Sequence, residues 1–282
     1  MSTIAADHKA TMRSLYATAA EGWDRWFEWY ARNFAPPMAW CCEATGLKSG
    51  DMVLDIACGS GLPALAAARR VQPDGRVIAT DIAAEMLTVA ERRAGEAGLQ
   101  NVEFREMDAE QLAFPDATFD AVTCAYALMF CPEPAQVVAE VRRVLKPGGR
   151  FAFVVWDDPT KSPFITVAGL SVARLFPAQP PNPNAPGVFR FAEPGALESV
   201  LRAGGFTDWS IESLPMTLEC ESVAEYWRMF TDMAAGIKAK IASLDDEGAA
   251  RLRGFVEAAA NPYLSGGRLR LVATSLCAAG RK

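Results

Sequence analysis

The chain has 282 residues, 51 % of them hydrophobic, and its 34 acidic against 28 basic residues give a formal charge of −6. No Lys/Arg-rich run stands out, which argues against a nucleic-acid partner, because phosphate contacts need clustered cations. His8 is the only histidine, so a Ser-His-Asp or Cys-His nucleophile is excluded and a zinc site with histidine ligands is disfavoured; no metal is expected.

In chain order, residues 1–8 read as unstructured, and a helix-like region runs from about Thr11 to Phe34. Trp23, Trp26, Phe27 and Tyr30 follow the i, i+3, i+4, i+7 spacing of one helical face. Such a stripe packs on a core or lines an apolar pocket as a lid, and an exposed one would also suit a homodimer. Residues 1–45 are therefore set apart as an aromatic-rich helical lid, and 46–282 as the main domain.

Residues 53–61, Val-Leu-Asp-Ile-Ala-Cys-Gly-Ser-Gly, carry the most information. Val53, Leu54 and Ile56 make a short apolar strand, Gly59 and Gly61 a sharp turn, and Leu62–Val71 the following helix. A glycine turn before a helix lets backbone approach a ligand and offers unpaired N–H groups. Asp55, four residues before the first glycine, would repel a pyrophosphate and suit a ligand of positive charge. The chemistry points to a cationic nucleoside rather than a dinucleotide. A second strand over 76–80 ends in Asp81, at the position of an acid that takes ribose hydroxyls. A third strand over 102–106 precedes Asp108, a fourth spans 119–124, and a Lys146-Pro147-Gly148-Gly149 turn leads into a fifth over 151–156. Strands alternating with helices mean a parallel sheet with ligands at the carboxyl ends, where each of these three acids falls. Asp120, at the start of the fourth strand, lies at the opposite end and reads as structural.

Four stretches, VLDIACGSG (53–61), VIATDIAAEML (77–87), MDAEQLAFPDATFDAV (107–122) and RRVLKPGGRFAFVVW (142–156), stand in the order and spacing of a known family. On them the chain resembles a class I S-adenosylmethionine-dependent methyltransferase of the quinone-biosynthesis-like (UbiE-type) group, over a little more than a third of its length. The resemblance implies a Rossmann-like, doubly wound, mostly parallel seven-stranded α/β sheet with an antiparallel last strand, and S-adenosyl-L-methionine as cofactor. Asp55, Ala57, Gly59 and Gly61 would hold the methionine moiety and ribose edge, and Asp81 the ribose hydroxyls. Ile82 and Met86 would sandwich the adenine, while Asp108 and the backbone of Ala109 would meet its polar edge. Ala125, within Cys124–Ala127, would flank the methionine end, and Tyr16 on the lid would approach it. Met107 departs from the glycine that many relatives carry there.

Beyond the fifth strand, helices are expected over 163–176, 193–203, 222–240 and 245–260, a strand within 206–218, and a last strand over 268–277. Pro177–Gly187, with five prolines in eleven residues, reads as a loop. Segments 157–190 and 222–265 would form a helical cap with many aromatic and aliphatic side chains and no concentrated charge. Such a cap fits a hydrophobic small-molecule acceptor methylated at carbon or oxygen. Tyr16, Tyr126 and Asp157 are the candidate catalytic groups, with Tyr30 behind them, although placement and desolvation carry most of such a reaction. A non-catalytic cofactor-binding protein, or a nicotinamide-dependent oxidoreductase on the looser Gly59-x-Gly61-x-x-Ala64 fingerprint, are the alternatives. Seven scattered cysteines without a C-x-x-C pair read as reduced, buried thiols. With no signal-peptide layout and no apolar stretch of 18 residues, a cytoplasmic protein without a membrane span is expected.

Overall fold

The computed structural model describes residues 3–176 and 185–282; most of the proline-rich loop read at 177–187 lies outside the described residues. Eight strands form one sheet: β1 (Met52–Ile56), β2 (Arg76–Asp81), β3 (Val102–Glu106), β4 (Phe119–Ala125), β5 (Leu145–Trp156), β6 (Trp209–Cys220), β7 (Leu264–Ser265) and β8 (Arg268–Arg281). Their order is β3-β2-β1-β4-β5-β8-β6, with β7 paired to β8 off this path. Strands β1 to β5 run parallel, and β8 runs antiparallel to both β5 and β6. This is the expected doubly wound sheet with its antiparallel last strand, plus a two-residue hairpin partner too short for sequence pattern to show. Strand order reverses between β1 and β4, and such a switch point opens a ligand crevice at the carboxyl ends.

Parallel strands covered on both faces read as continuous apolar runs, and Val53, Leu54 and Ile56 of β1 are at most 1 % exposed. Asp55 interrupts that run while being fully buried. The helices α4 (Leu62–Val71) and α5 (Ala84–Glu96) follow β1 and β2. Gly61 starts α4 with φ +95°, and a Cβ there would sit 2.9 Å from the Ala90 Cβ. Glycine is thus required both by the left-handed backbone and by the close approach of α4 to α5.

Strand β5 begins earlier than sequence suggests. Phe119 pairs with Leu145 but Ala121 with Arg150, so the Lys146–Gly149 turn is a bulge inside β5 rather than a lead-in. Bulges insert unpaired residues without ending the ladder. Asp120 accepts from Met52 N (2.9 Å) and from Lys146 Nζ (2.8 Å), so it fastens the amino ends of β1 and β5.

The amino-terminal region holds α1 (Thr3–Arg25), α2 (Phe27–Asn33) and α3 (Ala35–Ala44). Residues 3–8, expected to be unstructured, are therefore helical. Their propensity is ordinary, and the helix is held by tertiary contacts described below. The aromatic stripe bends at Trp26, which caps α2 with φ −98° and ψ 11°. Phe27, Trp29 and Tyr30 are buried in the main core, so the stripe is used within the chain. Helix α6 (Pro134–Val144) packs on α8 (Ala196–Ala203), and α7 (Pro163–Leu175) on β8 and α11 (Asp246–Ala260). The expected 222–240 helix is two, α9 (Val223–Met233) and α10 (Ala235–Ala242), and both touch α1. Gly22 makes the α1–α9 contact possible, since a Cβ there would lie 2.2 Å from Asp232 O.

Candidate active site

A cavity of about 140 Å³ opens at the carboxyl ends of β1, β2, β3 and β4. Ala57 and Gly59, after β1, line it together with Asp81, Ile82 and Met86 after β2. Asp108 and Ala109 after β3, and Ala125 and Tyr126 at the end of β4, complete the sheet side. Tyr16 of α1 faces them from above. Ten of the expected site residues thus share one cavity. Asp55 and Gly61 stand behind its wall, and Asp157 lines neither this cavity nor the one beside it.

The acids differ in setting. Asp81 accepts from Gly59 N (2.9 Å) and Ala83 N (3.0 Å), so the glycine turn and the start of α5 hold its carboxylate at the cavity wall. Burial raises its pKa, and the backbone donors of Ala83, Gly59 and Ile82 oppose that rise. Asp55 accepts from Thr123 Oγ1 (2.6 Å), while its Oδ2 is sealed and unpaired. Burial first, and then repulsion from Asp81, push the Asp55 carboxyl up to about 7 against the Thr123 bond. Ser60 Oγ is the other sealed side-chain atom without a partner among the described residues, and Ser60 lines the cavity. Both orphans belong to the strand–turn unit of β1, and buried polar groups are ordinarily paired; of the two, only Ser60 lines the cavity.

Sequence reasoning placed Tyr16 of α1 at the site but missed His8, Lys9 and Met12. His8, Lys9, Met12 and Tyr16 all line the cavity, and with Arg13 they recur at the spacing of one helical face. Lys9 Nζ reaches Asp108 Oδ2 at 2.7 Å and Glu110 Oε2 at 2.5 Å. His8 Nε2 lies 3.0 Å from Phe130 O, and Arg13 Nε donates to Ile82 O at 3.0 Å. The face mixes polar and apolar residues, so no hydrophobic period reveals it. Only the acids opposite give it meaning.

A second cavity of about 190 Å³ adjoins the first. The two share Tyr16, Trp23, Tyr30, Tyr126 and Phe130, a collar of five rings. Beyond the collar the wall is Phe34, Trp156, Phe164 and residues of α7 and α9, with no charged side chain among the described residues. Phe164 stacks on Trp29 (5.8 Å, 16°) and Tyr126 packs on Trp156 (4.5 Å). Tyr126 holds φ +59°, rare for a non-glycine residue, and its hydroxyl is 2.7 Å from Ser275 Oγ. Burial raises the phenol pKa of Tyr16, Tyr30 and Tyr126 alike, so all three are neutral near pH 7. Asp157 is held by Ser213 Oγ (2.7 Å), Asp158 N (2.7 Å) and Lys161 Nζ (3.0 Å). Burial pushes its pKa up, but these donors outweigh it and hold the carboxyl below its ordinary range.

Residues 54–153 match the family model described as a methyltransferase domain. The chain is 30 % identical over 229 residues to the demethylmenaquinone methyltransferase of Symbiobacterium thermophilum, covering 72 % of this chain and 87 % of that protein. It is 42 % identical over 119 residues to a ubiquinone/menaquinone biosynthesis C-methyltransferase of Pseudomonas putida, spanning 42 % of this chain and 46 % of the relative. Among solved structures, the YcgJ protein of Bacillus subtilis shares the fold with a TM-score of 0.57 at 24 % identity, covering 88 % of this chain and 98 % of that one. The BH2331 protein of Bacillus halodurans aligns with a TM-score of 0.58 at 25 % identity, over 87 % of this chain and 98 % of its own. The nicotinamide reading falls with these matches and with the buried acid behind the turn. Glycine turn, strand-end acids and likeness over most of a relative's length agree: the chain belongs to the class I S-adenosylmethionine-dependent methyltransferases of the quinone-biosynthesis type, and it is a methyltransferase enzyme.

Proposed function

We propose that this methyltransferase acts on an uncharged, ring-containing small molecule, methylated at carbon or oxygen, with a quinol or phenol as the favoured class. The observation that carries this reading is the uncharged aromatic cavity joined to the strand-end cavity by a shared collar of rings. Two of the relatives are named for methylating demethylmenaquinone and for quinone-biosynthesis C-methylation, which agrees with a planar apolar acceptor.

S-adenosylmethionine, when bound, supplies a methyl group already activated by its sulfonium. Asp81 would accept from its ribose hydroxyls, Ile82 and Met86 would hold its adenine, and Ala57, Gly59 and Ala125 would border its methionine end. The acceptor would lie beyond the collar, against Phe34, Trp156 and Phe164, with its nucleophilic atom directed back between Tyr16 and Tyr126. Alignment of this kind can lower a barrier by about 7–11 kcal/mol. The apolar wall excludes water, which strengthens the electrostatics inside. A tyrosine kept neutral by burial is a poor base, and Asp157 is bound to three donors away from both cavities. We therefore assign placement and desolvation, rather than a protein base, the main share of the rate. The α1 region serves as lid, α7 and α9 as cap, and the cytoplasm is the proposed site of action. Among the described residues no helix is long and apolar enough to cross a membrane.

The test is transfer of labelled methyl from S-adenosylmethionine to a panel of short-chain hydroquinones, phenols and aliphatic amines, with product regiochemistry by mass spectrometry. Ring methylation or phenol ether formation is expected. Methylation of amines alone would overturn the acceptor assignment.

A further inference from the structure

We propose that Lys9 is a positioning residue for the cofactor: it latches the amino-terminal half of α1 to two acids of the cavity wall, and cofactor exchange requires this latch to open. The inference rests on the reading of this cavity as the S-adenosylmethionine site, with Asp108 at the adenine end.

The Lys9 side chain is only 11 % exposed, and its ammonium lies 2.7 Å from Asp108 Oδ2 and 2.5 Å from Glu110 Oε2. A lysine rarely goes below the surface unless paired, since stripping water from an ammonium is unfavourable. Here burial works against the charge, and the two carboxylates outweigh it, leaving Lys9 more firmly protonated than an ordinary lysine. The acids are themselves fixed. Asp108 Oδ1 accepts from Glu110 N at 2.9 Å, and Glu110 Oε1 accepts from Glu133 N at 2.9 Å, just before α6. Glu110 is 4 % exposed. One lysine therefore joins α1 to the loop after β3 and, through Glu110, to the entry of α6.

Lys9, Asp108 and Glu110 all line the cavity, as do His8, Met12 and Tyr16 on the same face of α1. That face is one wall of the site, so its fastening narrows the path a ligand takes in or out. The fastening is polar at this end: His8 to Phe130 O, Arg13 to Ile82 O and to Glu106, and Lys9 to its two acids. Of these groups, Arg13 and Glu106 are about half exposed and weakly coupled. The Lys9 cluster, part-buried and centred on the buried Glu110, is the strong member. It also neutralises two carboxylates beside a nucleobase that carries no charge, and it directs Asp108 rather than leaving that carboxylate to swing.

The experiment is dissociation of tritiated S-adenosylhomocysteine, chased with unlabelled ligand, from the full-length wild type, Lys9→Met, Lys9→Arg and Glu110→Gln. Lys9→Met and Glu110→Gln are expected to release it at least about tenfold faster, and Lys9→Arg within about threefold of wild type, since it keeps the charge. Adenosine, which lacks the methionine end, should show the same acceleration, and amide exchange over residues 3–16 should rise in Lys9→Met. In turnover, KM for S-adenosylmethionine should increase while kcat stays level or rises, a split that general damage to the fold does not produce. Release from both variants within twofold of wild type would overturn the proposal. If wild type bound neither ligand, the cofactor reading itself would fall instead, so the two failures are separable.

Discussion

The strand-end cavity and the aromatic cavity share five rings, yet they are built by opposite means. The first is assembled mainly from backbone turns at the ends of parallel strands, with an acid or a glycine where β1, β2 and β3 end, and is closed on one side by α1. The second is assembled mostly from side chains of α1, α2, α7 and α9, elements up to two hundred residues apart, with Tyr126 and Trp156 from the ends of β4 and β5 and no charged group among those described. A site made from strand ends is conserved in geometry by the sheet itself, whereas one made from a helical cap can be reshaped without disturbing the sheet. The chemistry is fixed at the sheet's carboxyl edge, and specificity is free to vary in the cap.

Mutations should therefore divide by cavity. The largest effect is expected from Asp81→Ala, which removes the acceptor for the ribose and strips the partner of Gly59 N and Ala83 N. Hydrogen bonds to a charged group contribute about 1.5–3 kcal/mol, so calorimetry should show cofactor affinity falling about 10–100-fold. Phe164→Leu probes the other side. Phe164 is 6 % exposed and stacked on Trp29. Acceptor KM should rise about five- to tenfold, with cofactor Kd held within twofold. Equal damage to both constants would break the division between the cavities.

The comparison can be sharpened by titration. Asp55 has its pKa raised from 3.8 to about 7 in the folded chain. Well below 3.8, at about pH 3 and under, it is protonated in both folded and unfolded states. As pH rises towards 7 the unfolded state ionises first, so this group's contribution to stability declines across that window and is flat above it. Without ligand, Asp55→Asn should therefore raise Tm at pH 8, at about 2–4 °C per kcal/mol, and the gain should shrink as pH falls and vanish only at about pH 3. Differential scanning fluorimetry across pH checks this, and a constant difference would rule it out. Smallest in effect should be Tyr126→Phe, which leaves Ser275 Oγ without its 2.7 Å partner. It should lower Tm slightly and turnover less than tenfold. A loss of four orders of magnitude, with cofactor affinity intact, would make Tyr126 a general base and end the placement-and-desolvation account.

Legibility in the sequence follows the same boundary. Helix α4 and strand β3 end where the pattern of Leu62–Val71 and Val102–Glu106 places them, because apolar period and flanking turns agree there. Asp81, Ile82, Met86, Asp108 and Ala109 gather in one cavity because the parallel sheet brings all strand ends to one edge. Gly61, expected at the ligand, instead gives Ala90 room for helix packing, a role that local pattern cannot distinguish. The start of β5 was hidden because Lys146–Gly149 has turn chemistry yet sits within a bulge.

What the sequence determined by itself was the sheet, its direction and the chemistry of its carboxyl edge, since strand period, glycine turns and acids are all local signals. Only tertiary structure decided that residues 3–8 are helical, that His8 and Lys9 complete the cavity, and that Asp157 stands outside it. The physical reason is partnership. A lysine in a mixed helix has no signature of its own, and its role exists only because Asp108 and Glu110, about a hundred residues away, are folded to within hydrogen-bond reach of its ammonium.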